Sequence, residues 1–164
     1  MLAFSILLFF AVTGITLNHQ GALNGEPHAS RFTGSLDLSW LNPPPGQEVG
    51  RTEIVAALRK AHGIKAAVKD FRVEDNEIAV TFKGPGYAAD GFIDRKKGTY
   101  DMTESRLGLV AIVNDLHKGR DTGTVWADII DISAGFMVLV SLTGLILIFF
   151  LQKRLATGMI ALAI

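Results

Sequence analysis

Apolar residues are concentrated at the two ends of the chain, and charged residues crowd its middle. Residues 1–17 (MLAFSILLFFAVTGITL) carry no charge, and residues 132–151 form a second uncharged and mostly apolar run. At about 1.5 Å per helical residue the second run reaches the roughly 30 Å of a bilayer's hydrocarbon core, whereas the first reaches only about 25 Å. We predict two transmembrane helices, over residues 1–18 and 125–152.

The first apolar run has two interpretations, an uncleaved signal anchor or a cleaved signal peptide. The run is longer than the usual apolar region of a signal peptide, no basic residue precedes it, and no clear A-x-A cleavage site follows it. These features favour the anchor, and the cleaved peptide is the alternative.

The charges that flank the second run predict how the chain is oriented. Lys153 and Arg154 follow the run directly, and the positive-inside rule places that end in the cytoplasm. The N-terminus would then also be cytoplasmic, and residues 19–124 would lie in the periplasm of a bacterial inner membrane. Residues 153–164 would form a cytoplasmic tail or the start of a further apolar segment.

The middle of the chain shows first a helical and then an alternating pattern. Residues 52–62 (TEIVAALRKAH) place apolar side chains on one helical face, and residues of about 66–101 alternate in short strands between turn signals. A second helix is predicted over about 104–117, and the segment SLDLSWL (35–41) as a short strand or extended piece. Three or four antiparallel strands with a helix on one face make a small α+β domain.

Composition excludes several classes of function. The formal net charge is zero and no basic stripe is present, so nucleic-acid binding has little support. The chain has no cysteine, which excludes disulfides, iron–sulfur clusters and covalently attached c-type haem. No phosphate-binding glycine loop, zinc-protease motif or nucleophile elbow is present. We therefore predict no catalytic residues, and a protein without catalytic activity of its own.

Two histidines are candidate cofactor ligands. His19 ends the first apolar run, and His117 lies in the segment NDLHKGRDTG just before the second, so both are expected near the same membrane face. Two neutral imidazoles on facing helices could bind the iron of a b-type haem axially. The alternative is a structural or partner-docking role, with His117 bonded to Asp115 or Asp121. Haem is therefore a candidate cofactor and not a required one.

Charged residues around the start of the second run are candidate partner contacts: Lys118, Arg120, Asp121, Asp128 and Asp131. The two last acids are three residues apart and share a helix face. They could simply favour the positive end of the helix dipole, or pair with Arg120 or with an arginine of a partner. A carboxylate metal site lacks further ligands in the sequence, and no metal is predicted.

A Thr-Gly pair occurs in each apolar run, as Thr13-Gly14 and Thr143-Gly144. Small residues let helices approach closely, and threonine can bond across a helix interface. The pairs predict contact between the two transmembrane helices, or close packing against a cofactor or a larger partner.

Several stretches resemble the PepSY domain and the PepSY-associated transmembrane helix family. They are TEIVAALRKAHGI as the lead helix, VKDFRVEDNEIAVTFKGPGY as the hairpin and IDRKKGTYD as the turn, followed by NDLHKGRDTGTVWADIIDISA and LVSLTG. The likeness covers roughly residues 5–158. It implies a membrane α+β protein with two transmembrane helices. They flank a small extracytoplasmic PepSY-like domain, in which a helix packs on an antiparallel sheet.

The resemblance implies two functions for a chain of this kind. PepSY domains are extracytoplasmic modules of bacterial envelope proteins, and larger members are similar to ferric-siderophore reductases with b-type haem between their helices. We expect an accessory or assembly subunit that docks on a membrane redox or metal-uptake complex. The alternative is b-type haem electron transfer, with His19 and His117 as ligands. The expected partners are the lipid bilayer and other membrane subunits or a second copy.

Overall fold

The computed structural model describes residues 1–23 and 25–150. Six helices and five strands follow one another in this order: α1 (Leu2–Asn18), α2 (Gln20–Leu23), β1 (His28–Ser35), α3 (Leu38–Leu41), α4 (Arg51–His62), β2 (Ala67–Val73), β3 (Glu77–Gly84), β4 (Tyr87–Asp94), β5 (Thr99–Arg106), α5 (Leu109–Lys118) and α6 (Thr124–Phe150).

The five strands form one antiparallel sheet in the order β1-β5-β4-β3-β2. Strands β2 to β5 are consecutive hairpins, and β1 adds to the free edge of β5, from His28 opposite Arg106 to Ser35 opposite Thr99. The β4–β5 turn is closed by Asp94, whose Oδ1 accepts from the amide nitrogens of Lys96 and Lys97. The predicted antiparallel sheet is confirmed, with β1 as an additional strand.

The core lies between one face of the sheet and α4. Ile54 and Leu58 of α4 are fully buried against alternate residues of β3, of which Ile78 and Phe82 have no exposed surface. Burial of each such side chain contributes roughly 1.5–3 kcal/mol relative to leaving it exposed. The apolar side chains at every second strand residue and those on one face of α4 therefore pack in a single apolar layer.

Two element boundaries differ from those that the sequence predicts. The last helix of the domain begins at Leu109 and not near residue 104, because β5 continues to Arg106 with Tyr100, Met102 and Glu104 facing the core. The segment predicted as extended forms the helical turn of α3. That turn begins where the Asp37 carboxylate accepts from the Ser39 amide at 2.9 Å, an N-cap that the alternating leucines conceal.

One of the two apolar helices has the length and composition of a membrane span. Helix α6 has 27 residues, and its stretch Thr124–Ile148 has a mean hydropathy of 2.1. Helix α1 is apolar but has only 17 residues. One candidate membrane helix is therefore present in the described part of the chain, and a span by α1 stays a prediction. The predicted role of residues 153–164 and the last two residues of the span predicted over 125–152 lie outside the described residues.

Candidate functional site

Residues 114–123 (NDLHKGRDTG), here called the junction segment, connect the end of α5 to the start of α6. Gly119 ends α5 in the left-handed conformation with φ 65°, and Asp121 adopts φ 55°. A left-handed residue after a helix reverses the chain direction, which glycine does without strain. The short connection therefore brings the last turn of α5 beside the first turn of α6.

The junction segment contacts α1 through His117. Its Nδ1 lies 2.5 Å from Oγ1 of Thr13, and its ring packs edge-on against Phe10 with centroids 5.2 Å apart. Gly14 adjoins the same ring, since a Cβ at that position would lie 3.9 Å from His117 Cε1. Thr13 is only 3% exposed, so this hydrogen bond is shielded from solvent on the α1 side.

The hydroxyl proton of Thr13 determines the tautomer of His117. Thr13 Oγ1 donates to the Phe9 carbonyl at 2.7 Å, which uses its only proton. The short contact with His117 is then a hydrogen bond donated by the Nδ1–H of the imidazole. In the neutral ring this tautomer leaves Nε2 with a free lone pair.

A second hydrogen bond joins the same two helices one turn further along. The Thr16 hydroxyl lies 2.9 Å from the Thr13 carbonyl and 2.8 Å from Oδ1 of Asn114, but it has one proton for these two acceptors. Within the described chain, Asn114 Nδ2 is buried and has no partner. Amide oxygen and nitrogen are assigned from the hydrogen-bond network. If they are exchanged, Nδ2 donates to Thr16, and Thr16 donates to the Thr13 carbonyl.

The junction segment is also bonded to the sheet. Asp115 Oδ2 accepts from the Gly86 amide nitrogen at 2.9 Å, in the β3–β4 turn. Gly86 has φ 65°, and a Cβ there would lie 2.4 Å from Cγ1 of Ile112, so both conformation and space require glycine. Asp121 Oδ1 lies 2.9 Å from Lys69 Nζ. These bonds fix α5 and the connection that follows it against the domain.

Lys69 reaches Asp121 from an irregular position in β2. Val68 pairs with Phe82 and Asp70 with Thr81, so Lys69 is an extra residue opposite a regular ladder. Such a bulge re-aims the side chain at that point of the strand. The bulge and the left-handed Asp121 together form an ion pair between elements far apart in the sequence.

A third element, α6, is bonded by Trp126. Its Nε1 donates to the Leu116 carbonyl at 2.8 Å, which satisfies a backbone oxygen in the last turn of α5. The junction segment with its partners thus joins α1, the sheet and α6. The arrangement bonds the sheet domain to both apolar helices.

His19 does not share this site with His117. It lies at the end of α1, is exposed, and its Nδ1 lies 3.0 Å from the Ile15 carbonyl. Six residues separate His19 from Thr13, or about 9 Å along a helix. His19 thus takes no part in the Thr13–His117 contact, and haem ligation by the two histidines stays a prediction. His117 bonds to Thr13, and not to either acid that the sequence offered as a partner.

The charged candidate residues differ in their exposure to solvent and in their ion-pair partners. Lys118 and Arg120 are exposed at the end of α5 and beyond it, and Asp121 is the partner of Lys69. Asp128 and Asp131 are exposed on the first turns of α6. In residues 1–23 and 25–150 these two acids form no ion pair, so the expected pair with Arg120 does not occur there.

The two Thr-Gly pairs do not meet. Thr13 and Gly14 face α5, whereas Thr143 is exposed and its hydroxyl donates to the Val140 carbonyl at 2.9 Å. Nothing lies within 4 Å of a Cβ placed on Gly144. The predicted contact between the two apolar helices is present, but Thr143 and Gly144 take no part in it, because α1 lies beside the start of α6 and Thr143 lies far along that helix.

The contact between α1 and α6 includes an apolar cleft of about 230 Å³ lined by Ser5, Ile6, Phe9, Phe10, Trp126, Ile129, Ile130 and Ser133. This volume is below the roughly 300–1,000 Å³ of most ligand pockets. The lining contains no imidazole. A haem seated in this cleft would therefore have no histidine ligand there, whereas the free Nε2 of His117, outside the cleft, has the form that binds a metal.

The sequence pattern contained a signal for the polar contact that the interpretation missed. Thr13 and Thr16 are three residues apart in an apolar helix, and Asn114 and His117 are three residues apart in another. Residues at this spacing share one helix face. Two matched polar pairs on otherwise apolar helices predict that the helices face each other.

The fold and the junction define a membrane-associated α+β protein, in which an apolar helix is bonded to a helix-on-sheet domain. A family model described as PepSY_TM-like matches residues 1–164, and the chain belongs to that family. The resemblance seen in the sequence is thereby confirmed. Comparison with curated proteins and with solved structures found no match.

Removal of the Thr13 hydroxyl should weaken the junction. In Thr13→Val the Nδ1–H of His117 loses its acceptor, and an unsatisfied buried donor costs about 1–3 kcal/mol. We expect the melting temperature of the full chain in detergent, followed by circular dichroism, to fall by several degrees. The matched variant Thr143→Val, at an exposed site, should change it little. An equal effect of the two substitutions would contradict the assignment.

Proposed function

We propose that this PepSY-type membrane protein is an accessory or assembly subunit, whose sheet domain docks on a membrane redox or metal-uptake complex. The observation that carries the proposal is the junction segment, which bonds to α1, to the sheet and to α6. A domain held in this way presents its surface at a defined height and angle to the membrane. A freely tethered domain would lose that orientation, and with it part of the gain from preorganised binding.

The sheet face opposite α4 is the surface that would dock. Phe92 lies on it and is 50% exposed. Its surroundings are polar, with Thr81 donating to Asp90 at 2.7 Å on one side and the Arg31–Asp101 ion pair on the other. An aromatic side chain inside a polar rim is typical of the centre of a protein interface.

The charges of this face persist over a wide pH range. Arg31 donates to the Asp101 carboxylate, which lowers the pKa of that carboxyl below its usual value. A lowered pKa keeps the carboxylate ionised until the pH falls below the ordinary range for aspartate. The ion pair therefore stays charged at neutral pH and supports recognition of a polar partner surface.

We place this domain in the periplasm and both termini in the cytoplasm, from Lys153 and Arg154 after the apolar run. The chain has no cysteine, so single-cysteine variants report orientation without background. Lys96→Cys in the β4–β5 turn should react in intact cells with a maleimide that does not cross membranes. Thr157→Cys, in the predicted cytoplasmic tail, should react only after the membrane is opened. The reverse pattern would place the domain in the cytoplasm.

The docking proposal is tested by a photo-crosslinking amino acid at position 92 in the full chain. We expect illumination of cells to yield a crosslinked species that contains a different membrane protein. The matched control carries the same amino acid at Ala56, which is exposed on α4 on the other side of the domain. Equal crosslinking from both positions, or a protein that purifies only as a lone monomer in mild detergent, would contradict docking through this face.

The second candidate is b-type haem electron transfer. The tautomer of His117 favours it, because Nδ1–H bonded to Thr13 leaves Nε2 as a possible ligand, and such an outer hydrogen bond is usual for metal-bound imidazoles. The other axial ligand would be His19, about 9 Å further along α1, or a histidine of a second copy or a partner. In either case His117 would hold one face of the haem.

An absorption spectrum separates the two candidates. For the accessory subunit we expect the protein purified from membranes to show no sharp bands on dithionite reduction. Bands that appear on reduction and are lost in His117→Ala would instead establish the haem protein. His62→Ala is the matched control, because that ring bonds to Tyr100 at 2.8 Å within the sheet domain and should not affect the spectrum.

A further inference from the structure

One edge of the sheet is tied to the apolar helices by chain connectivity. Helix α1 ends at Asn18 shortly before β1 begins, and α5 begins three residues after β5 ends. His28 pairs with Arg106, and Arg106 pairs with Tyr87, so these strand ends lie together. We call this edge, with the end of α4 and the β3–β4 turn, the proximal edge. It faces the ends of the apolar helices.

Unpaired cations collect at the proximal edge and on the adjoining junction segment. They are Lys60, Lys65, Lys83, Lys118 and Arg120, and in the described part of the chain none forms an ion pair. Of the acids beside them, Glu104 pairs with Arg106 and Asp121 with Lys69, whereas Asp128 and Asp131 on α6 have no ion pair in the described residues. At the opposite edge the acids are matched by an equal number of cations: Glu74, Asp75, Glu77, Asp94 and Asp101 against Arg31, Arg72, Arg95, Lys96 and Lys97. The domain is therefore most positive where it approaches the membrane.

A cleft of about 490 Å³ opens at the proximal edge between the end of α4 and the β3–β4 turn. Small residues, among them Gly63, Ala66 and Gly84, form much of its wall. Its polar lining consists of Lys65, Tyr87 and Arg106. The volume is within the range of about 300–1,000 Å³ that small-molecule sites occupy.

The cleft holds a fixed guanidinium. Arg106 Nε donates to the carboxylate of Glu104, which is only 4% exposed, and its Cζ lies 5.7 Å from the centroid of the Tyr87 ring. In the described chain no partner is present for its two terminal nitrogens. A planar guanidinium restrained on one side is suited to bind a phosphate with the other.

Tyr87 supports the same geometry as a neutral group. Its hydroxyl donates to Glu104 Oε2 at 3.2 Å. Burial, and then the charge of Glu104, raises the pKa of Tyr87 to about 12. The phenol therefore stays protonated at neutral pH, and the buried carboxylate keeps two hydrogen-bond donors.

We propose that this cleft binds the phosphate group of an anionic phospholipid from the adjacent membrane leaflet, with Lys65 and Arg106 as the cationic contacts. The neighbouring Leu109, three residues after Arg106, is 80% exposed and would enter the acyl boundary beside the headgroup. An exposed leucine next to cations matches the apolar and anionic layers of a membrane surface. A free phosphate ion would explain the cations but not the leucine. The inference does not depend on the accessory-subunit proposal.

The test uses the full chain in neutral detergent and three probes: short-chain phosphatidylglycerol, short-chain phosphatidylcholine and inorganic phosphate. We expect phosphatidylglycerol to raise the melting temperature in a saturable way, and the other two to have much weaker effects. Lys65→Gln should weaken the apparent affinity about fivefold, which corresponds to roughly 1 kcal/mol for one cation at an anionic surface. Lys65→Arg should retain binding.

The control Lys96→Gln removes an exposed cation at the opposite edge and should leave the affinity unchanged. Three results would overturn the proposal. Inorganic phosphate as effective as phosphatidylglycerol would indicate a free-anion site. Equal effects of both lipids would indicate a contact without charge selectivity. Equal losses in Lys65→Gln and Lys96→Gln would indicate diffuse attraction and no site. None of these bears on crosslinking from position 92, so the two proposals fail separately.

Discussion

The hydrogen bonds between α1 and α5 are the interaction on which the rest of the arrangement depends. Thr13 and Thr16 on one helix meet His117 and Asn114 on the other, and both threonine hydroxyls also contact carbonyls of their own helix. A buried polar network stabilises a fold when its polar groups find partners. This requirement sets the tautomer of His117 and favours the Asn114 amide orientation in which Nδ2 donates to Thr16. It also fixes the rotation of α1 relative to the domain.

The fold could be read from the sequence where its determinants are local. Helix α4 and the hairpins of β2 to β4 each place their apolar side chains at one period over a few adjacent residues, so a single window is sufficient. Strand β1 was not predicted, because apolar and polar residues do not clearly alternate in its sequence HASRFTGS. It forms a strand because the edge of β5 offers hydrogen bonds. The start of α5 was misplaced because the polar end of β5 resembles the first turn of a helix.

The sequence predicted that the junction segment is important but not which residues it contacts, because those residues are far away along the chain. The segment NDLHKGRDTG stood out as polar residues ahead of an apolar run, and its importance followed from that contrast. The identity of its partners did not follow from the sequence, since Thr13 and His117 are 104 positions apart. A single sequence gives no measure of which polar residues meet across such a separation. The pairing of His19 with His117 was inferred from shared topology alone, which does not distinguish residues about 9 Å apart along one helix.

The position of β1 has a consequence for the order in which the domain is completed. Strands β2 to β5 pair with their neighbours in sequence, so each hairpin closes a short loop soon after it is synthesised. Strand β1 precedes them all but pairs with the last of them. It therefore remains an unpaired edge, attached to an apolar helix, until the whole sheet has been synthesised. The long-range closure of β1 on β5 is the slow and vulnerable step of such a topology, because its loop entropy is lost before its contacts form. That step also brings the ends of α1 and α5 together, so completion of the sheet and assembly of the junction become a single event.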